Sequence, residues 1–406
     1  MFATRLKRAL VIFIKLPRYA LAIPIVMVVR LIRPWFLIRF GDLLSHRIGH
    51  FAANTELYLC GRDAGINLPE RHHVDLFHMV KPISNPQLAT MWKRVLRVWP
   101  IWLLAPIRRV NRLIPGWEIH EVDNTLAWDI HSHLDKFPPH LEFTPEEEAK
   151  GEVGLHAMGI PPNTPFVCLI VRDSAYLDTH LQGNWSYHDY RDTDIQNYVL
   201  AAEELAERGY YVIRMGAKVH EAMRTTHTMI IDYAANGMRS DFMDIYLGAK
   251  CAFCISTGTG WDEIPEMTRR PIVYVNYPIL GRLHVSRSNF LSIVMKYALQ
   301  DSQKILTSQE IFSLGVGFSG DGRVFESKGV QRIENTPEEI RDVVIEMSER
   351  LNGSWQSHED DEILQNIFWE KFPVDAKDPL LGLHLHGEIC GRLGAAFLRN
   401  NRDWLL

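Results

Sequence analysis

The run Pro165-Phe166-Val167-Cys168-Leu169-Ile170-Val171 has no polar alternation. A strand with one wet face alternates, whereas an unbroken apolar strand is covered on both faces, as in the middle of a parallel sheet. The residues that follow obey the same grammar. A helix is expected over 194–208, ended by Gly209, then a strand over 210–213 followed by Arg214-Met215-Gly216. Ser240 opens a helix, 251–255 is a strand, 260–267 a helix and 271–275 a strand. Thr336-Pro337-Glu338-Glu339 is a helix start that should run through Arg350. Strands alternating with helices predict a parallel sheet with right-handed crossovers.

The upstream half is α/β as well, though less regular. A strand is expected over 35–40, followed by Gly41-Asp42, then a helix over 51–60 and a strand over 74–80. Thr144-Pro145-Glu146-Glu147 caps a helix to about Met158, and Pro161-Pro162-Asn163-Thr164 looks like a hinge. A chain of 406 residues exceeds what one core usually supports. The expected division is a basic amphipathic segment (1–33), a first Rossmann-like domain (34–160), a second (161–375) and a helical tail (376–406) that crosses back to the first domain.

The apolar fraction of 47% and charged fraction of 23% are those of a globular protein, and a net charge of −5 gives no affinity for nucleic acid. The charge is unevenly placed. Residues 1–40 hold Arg5, Lys7, Arg8, Lys15, Arg18, Arg30, Arg33 and Arg39 and no acid. The apolar run from Tyr19 to Val29 contains Pro24 and is about half the roughly 20 residues that a spanning helix needs. No small-residue cleavage site follows it. What remains is a segment lying on an anionic membrane surface, or a helix pair docked on the protein's own surface. The stretch from Trp92 to Trp117 again mixes Trp with Arg and has no acid, which suits a peripheral membrane face. The five cysteines show no disulfide spacing, as expected of a reducing cytoplasm, and Cys251-Ala252-Phe253-Cys254 reads as buried strand.

Ligands of parallel sheets bind beyond the carboxyl ends of the strands. Four segments occupy those places in the second half: Arg172-Asp173, Arg214-Met215-Gly216, Ser256-Thr257-Gly258-Thr259-Gly260 and Asn276-Tyr277. The glycine turn, opening a helix, would offer N–H groups to an anion. Arg172 and Arg214 would meet a pyrophosphate, with no metal needed. Glu263 and Glu266, three residues apart on one face of the next helix, would take sugar hydroxyls. Each has a plainer reading, as a tight turn or a structural ion pair. The loop around Trp185, Tyr187, His188, Tyr190 and Arg191 has the composition of a sugar- or base-recognising surface, or of a self-packed loop. Upstream, Arg47, Gly49, His50, Asn54 and Glu56 follow the first strand. His50 is the candidate base for an acceptor hydroxyl, with Glu56 and Asp63 as alternatives. His131-Ser132-His133 and His384-Leu385-His386 lack a third ligand at motif spacing, so no metal site is expected.

Arg172 to Tyr176, Gly183 to Arg191, Tyr211 to Gly216, Ser240 to Tyr246, Ser256 to Arg270 and Arg47 to His50 form an ordered series. Together they resemble a family of bacterial glycosyltransferases found among surface-polysaccharide genes. The resemblance covers roughly residues 34 to 350. It implies a GT-B arrangement, two Rossmann-like domains facing a cleft, with the acceptor domain first and the nucleotide domain second. It further implies a nucleotide-sugar donor as substrate, no bound cofactor, and a glycan or lipid-linked acceptor at the inner face of the cell membrane. Asp173 then joins His50 and Arg172 as a catalytic candidate. The competing expectations are a nucleotide-sugar epimerase or hydrolase on the same fold, and a non-catalytic membrane scaffold.

Overall fold

The structure is a computed structural model describing residues 2–66, 68–125, 128–173, 192–377 and 384–405, with side chains in the first helix described from Pro17 onward. Two compact units emerge: Met1–Ala127 with His140–Glu142, and Trp128–Pro139 with Phe143–Leu406.

The first unit is a small α/β layer. Helix α1 (Phe2–Ile32) precedes β1 (Leu37–Leu43), α2 (Ile48–Asp63), β2 (His73–Met79), α3 (Pro86–Val95) and α4 (Ile101–Asn111). β1 and β2 pair in parallel, from Leu37 against His73 to Leu43 against Met79. Single parallel bridges, Phe40 to Glu121 and Phe77 to Val98, extend the pair on both sides. Among the described residues this sheet is smaller than the Rossmann-like domain expected. Beyond Trp99, Pro100 has no N–H with which to continue a ladder. β1 also runs through Gly41-Asp42, which were expected to follow it. A Cβ at Gly41 would come within 2.6 Å of the Phe77 ring, so the glycine makes room for a buried aromatic across the pair.

Ala22, Val26 and Val29 lie at helical spacing on α1 and pack with Phe40, Leu104 and Ile107. Arg30 locks this face down: its guanidinium donates to Asn111 Oδ1 at 2.8 Å and to the carbonyls of Asn111, Ile114, Pro115 and Gly116. Leu21, Met27, Val28, Leu31 and Trp35 of the same region stay exposed. α1 therefore has one docked face and one apolar face in solvent. No helix among the described residues is long and apolar enough to cross a membrane.

Among its described residues the second unit holds a parallel sheet of seven strands. Helix α5 (Pro145–Ala157) leads to β3 (Phe166–Ile170), α6 (Val199–Glu207), β4 (Tyr211–Met215), β5 (Ile230–Ile231), α7 (Asp241–Lys250), β6 (Cys254–Ser256), α8 (Glu263–Met267), β7 (Ile272–Tyr277) and β8 (Phe290–Val294). After the antiparallel pair β9 (Lys296–Leu299) and β10 (Val330–Ile333) come α9 (Pro337–Asn352), α10 (Asp361–Lys371), β11 (Arg392–Leu393) and α11 (Ala395–Asn400). Strand order is β11-β8-β7-β6-β3-β4-β5. Every residue of β3 and β8 is buried, as unbroken apolar strands require.

The expected domain limits need correction at both ends of this unit. α5 belongs here because Glu148 pairs with Lys250 at 2.6 Å and Gly151 fits against the Tyr246 ring, where a Cβ would come within 2.1 Å. The tail belongs here too. β11 extends the sheet edge beside β8, and the Glu346 carboxylate accepts the Ala395 N–H at 2.7 Å.

Candidate functional site

From β3 the chain winds one way to β4 and β5, then returns to the other side of β3 with β6, β7, β8 and β11. The winding reverses between β3 and β6. Two crossovers diverge at such a point and leave a crevice at the strand ends, where ligands of open α/β sheets sit. Arg172-Asp173 follows β3 there, and Thr257-Gly258 follows β6. The Arg172 N–H donates to Thr257 Oγ1 at 2.9 Å, and the Thr257 N–H reaches Ile170 O at 3.4 Å. Asp173 accepts the His220 N–H at 2.7 Å, tying in the loop after β4. The Arg172 guanidinium lies 3.3 Å from the Asp192 carboxylate.

The glycine turn differs from the anion cradle expected of it. Gly258 has φ +76° and passes so close to Tyr277 that a Cβ would lie 2.9 Å from the ring, so glycine is required. The N–H groups around it are already engaged. Gly258 N donates to Ser256 Oγ at 3.0 Å, Thr259 N to Asp262 Oδ2 at 2.8 Å, and Trp261 N to Thr259 Oγ1 at 3.3 Å. Ser256 Oγ donates to the same Asp262 oxygen at 2.5 Å. Asp262 folds its buried carboxylate back over the turn, filling the place assigned to a phosphate. Gly260 is exposed beyond it.

What the turn holds instead is a buried acid cluster. Glu266 is 6% exposed, and its Oε2 has no hydrogen-bond partner among the described residues; His284 Nδ1 is 3.8 Å away. Burial pushes the Glu266 carboxyl up to about 8, with Arg287 opposing and Asp262 and Asp129 adding to the rise. Burial, then Glu266 and Asp262, also raises Glu263 well above the usual carboxylate range. Among the described residues the buried Tyr274 hydroxyl lacks a hydrogen-bond partner too, and the His284 ring stacks on Tyr274 at 4.7 Å and tilts against Trp128 at 5.3 Å. A carboxyl raised as far as that of Glu266 keeps its proton at neutral pH. Asp262, Tyr274 and His284 did not figure in the sequence reading. Asp262 stood three residues after Thr259, the spacing of a side chain returning to a turn, but His284 reaches the cluster only through the fold.

Arg214 requires correction. It lies inside β4 rather than after it, is 2% exposed, and donates to Glu221 O at 2.5 Å and Asp232 Oδ2 at 3.2 Å. A guanidinium so enclosed holds its own loop together and is not presented to a ligand. Gly216 does follow the strand directly. Trp185, Tyr187, His188, Tyr190 and Arg191 lie outside the described residues.

In the first unit, Arg47 is exposed at the start of α2, with Gly49 and His50 half-buried after it. His50 Nδ1 and Asn54 Oδ1 are 3.0 Å apart, and Asn54 also donates to Asn124 O. Glu56 is 1% exposed, which removes it from any acceptor-facing surface. Its carboxylate meets His140 Nδ1 at 3.0 Å, while Asp63 meets His140 Nε2 at 2.9 Å. Burial would lower the His140 pKa, but bonds to Cys60, Glu56 and Asp63 outweigh it and push it up to about 10.

Neither a protein-family model nor a curated protein sequence matches this chain. Several solved structures are similar. The glycosyl transferase family 9 protein from Veillonella parvula aligns at 12% identity and TM-score 0.38, over 58% of this chain and 80% of its own. The ADP-heptose LPS heptosyltransferase II of E. coli aligns at 15% identity and TM-score 0.43, over 77% and 98%. A UDP-N-acetylglucosamine 2-epimerase from Listeria monocytogenes aligns at 10% identity and TM-score 0.25, over 59% and 79%. Likenesses this distant decide nothing about the chemistry of this chain.

Proposed function

We propose that the protein is a glycosyltransferase that binds a nucleotide-sugar at the crevice between the ends of β3 and β6. The observation that carries this reading is the Arg172–Thr257 tie at the point where the winding reverses, with the Glu263–Glu266 cluster beside it. Arg172 would meet the departing phosphate, without a metal at this site, and the carboxyls would take ribose or sugar hydroxyls. Glu266, protonated at neutral pH, adds no repulsion to a phosphate. His50, held by Asn54, is the proposed base for the acceptor hydroxyl of a lipid-linked or growing glycan in surface-polysaccharide synthesis. The exposed apolar face of α1 would hold the enzyme on an anionic membrane surface.

Thermal-shift measurement against a panel of nucleotides and nucleotide-sugars is the direct test. One nucleoside class should raise the melting temperature, and Arg172→Ala should abolish both the shift and sugar transfer while leaving the ligand-free melting temperature near that of the parent. Full transfer activity in Arg172→Ala would overturn the assignment.

A nucleotide-sugar epimerase or hydrolase is the second reading, and the proton held by Glu266 favours it, because those reactions need an acid or base at the sugar. Turnover of the nucleotide-sugar with no acceptor present, abolished by Glu266→Gln, would select it.

A further inference from the structure

Helix α2 presents Glu56, Cys60 and Asp63 at spacings of four and three residues, which places all three on one helical face. His140, 84 residues beyond Glu56 in the chain, comes down on that face. The Glu56 Oε1 atom is 3.0 Å from His140 Nδ1 and 3.8 Å from Cys60 Sγ, and the three ligand-type atoms all lie within 4.8 Å of one another. A zinc ion with bonds of about 2.0–2.3 Å in tetrahedral geometry holds its ligand atoms on the order of 3–4 Å apart. The trio is therefore already near the required spacing. Glu56 and Cys60 are 1% and 0% exposed, so the ligand atoms lie inside the unit.

The set is also complete in its surroundings. A metal-bound histidine commonly gives its second ring N–H to a carboxylate, which fixes the tautomer and strengthens the ligand. Asp63 Oδ2 stands 2.9 Å from His140 Nε2 in that position. Thiolate, imidazole and carboxylate together suit zinc and its borderline neighbours rather than magnesium or calcium, which prefer oxygen alone.

We propose that Glu56 Oε1, Cys60 Sγ and His140 Nδ1 bind a zinc-class divalent cation, with Asp63 orienting His140 and a water completing the coordination. The site lies wholly within the first unit and does not rest on the proposed sugar transfer. A metal takes Cys60 as thiolate and His140 through an Nδ1 free of its proton, so uptake of the cation is coupled to proton release. No metal motif announces the site, because His140 is remote from Glu56 and Cys60 in the chain.

Cobalt(II) titration of the full-length chain tests this. Stoichiometric binding should produce a thiolate-to-cobalt band in the near ultraviolet with visible bands of tetrahedral intensity, and zinc should displace both. Calorimetry in buffers of different ionisation enthalpy should report proton release on binding. Cys60→Ser should lose the thiolate band, and Asp63→Asn should retain it with 10–100-fold weaker affinity, of the order seen when such outer partners are lost. Absence of stoichiometric cobalt binding to the parent chain would overturn the proposal, as would a band that persists in Cys60→Ser. If Cys60→Ser fails to fold, the parent decides alone: zinc must raise its melting temperature and a chelator must reverse the rise.

Discussion

Thr257 Oγ1 accepts the N–H of Arg172 at 2.9 Å, so a buried hydroxyl after β6 fixes the backbone that leaves β3. The bond crosses the point where the sheet changes direction, just past the last ladder pair Ile170–Ser256, and is shorter than the neighbouring Thr257 N–H to Ile170 O bond at 3.4 Å. Thr257→Val keeps the shape of the side chain but leaves the Arg172 N–H without this acceptor. Urea unfolding should show a loss of about 1–3 kcal/mol, the usual cost of stranding a buried polar group. Nucleotide-sugar binding should weaken in the same variant. An unchanged unfolding midpoint would show that the tie contributes nothing.

Gly258→Ala tests the turn itself. Its φ of +76° is costly for alanine, and the new Cβ would press on the Tyr277 ring at 2.9 Å. A loss on the order of 1–3 kcal/mol is expected. Gly61→Ala is the matched control. That glycine lies within α2 with nothing within 4 Å of a Cβ, so alanine there should stabilise by roughly 0.5–1 kcal/mol.

Glu266 should leave a signature in the dependence of stability on pH. Its ordinary value is 4.5, and in the folded chain it titrates at about 8. Between those values the folded protein keeps a proton that the unfolded chain has lost. Stability due to this group therefore falls as pH rises from about 4.5 to about 8. Glu266→Gln resembles the protonated carboxyl and has no proton to lose. Melting curves should place the variant above the parent at pH 8.5, with the gap closing towards pH 5. A parallel pair of pH profiles would show that Glu266 is ionised in the fold after all.

These sites differ in how far the sequence announces them. The parallel sheet was legible because Phe166–Ile170 and its neighbours are apolar without alternation, a pattern that needs cover on both faces. The turn after β6 was legible as a place, through its glycines, but its chemistry was not. Whether N–H groups wait for an anion or are taken by a nearby aspartate depends on the χ angles of Asp262, which no spacing rule supplies. Arg214 lies within β4 and not beyond it because a strand carries a charged residue inward when a partner such as Asp232 receives it, and that partner is 18 residues away. His140 over Glu56 and Cys60 is a purely tertiary meeting.

The basic first segment divides into residues that hold α1 down and residues that face solvent, and the two sets should respond differently. Arg30 belongs to the first. Its bonds to Asn111, Ile114, Pro115 and Gly116 satisfy carbonyls at and beyond the end of α4, groups that a helix leaves open. Arg30→Ala should free α1 from α4, lower the melting temperature and expose the segment to trypsin at Arg18 and Arg33. Leu31 and Trp35, 72% and 73% exposed, belong to the second set. Leu31→Ser with Trp35→Ser removes apolar surface that nothing in the first unit covers, so the melting temperature should stay within a degree or so of the parent, as surface changes usually do. If α1 rests on a membrane, that double variant should lose co-sedimentation with vesicles containing anionic lipid, and the parent should bind neutral vesicles weakly and lose its anionic binding at high salt. Equal vesicle binding by the parent and the double variant would assign the exposed apolar face to something other than a lipid surface.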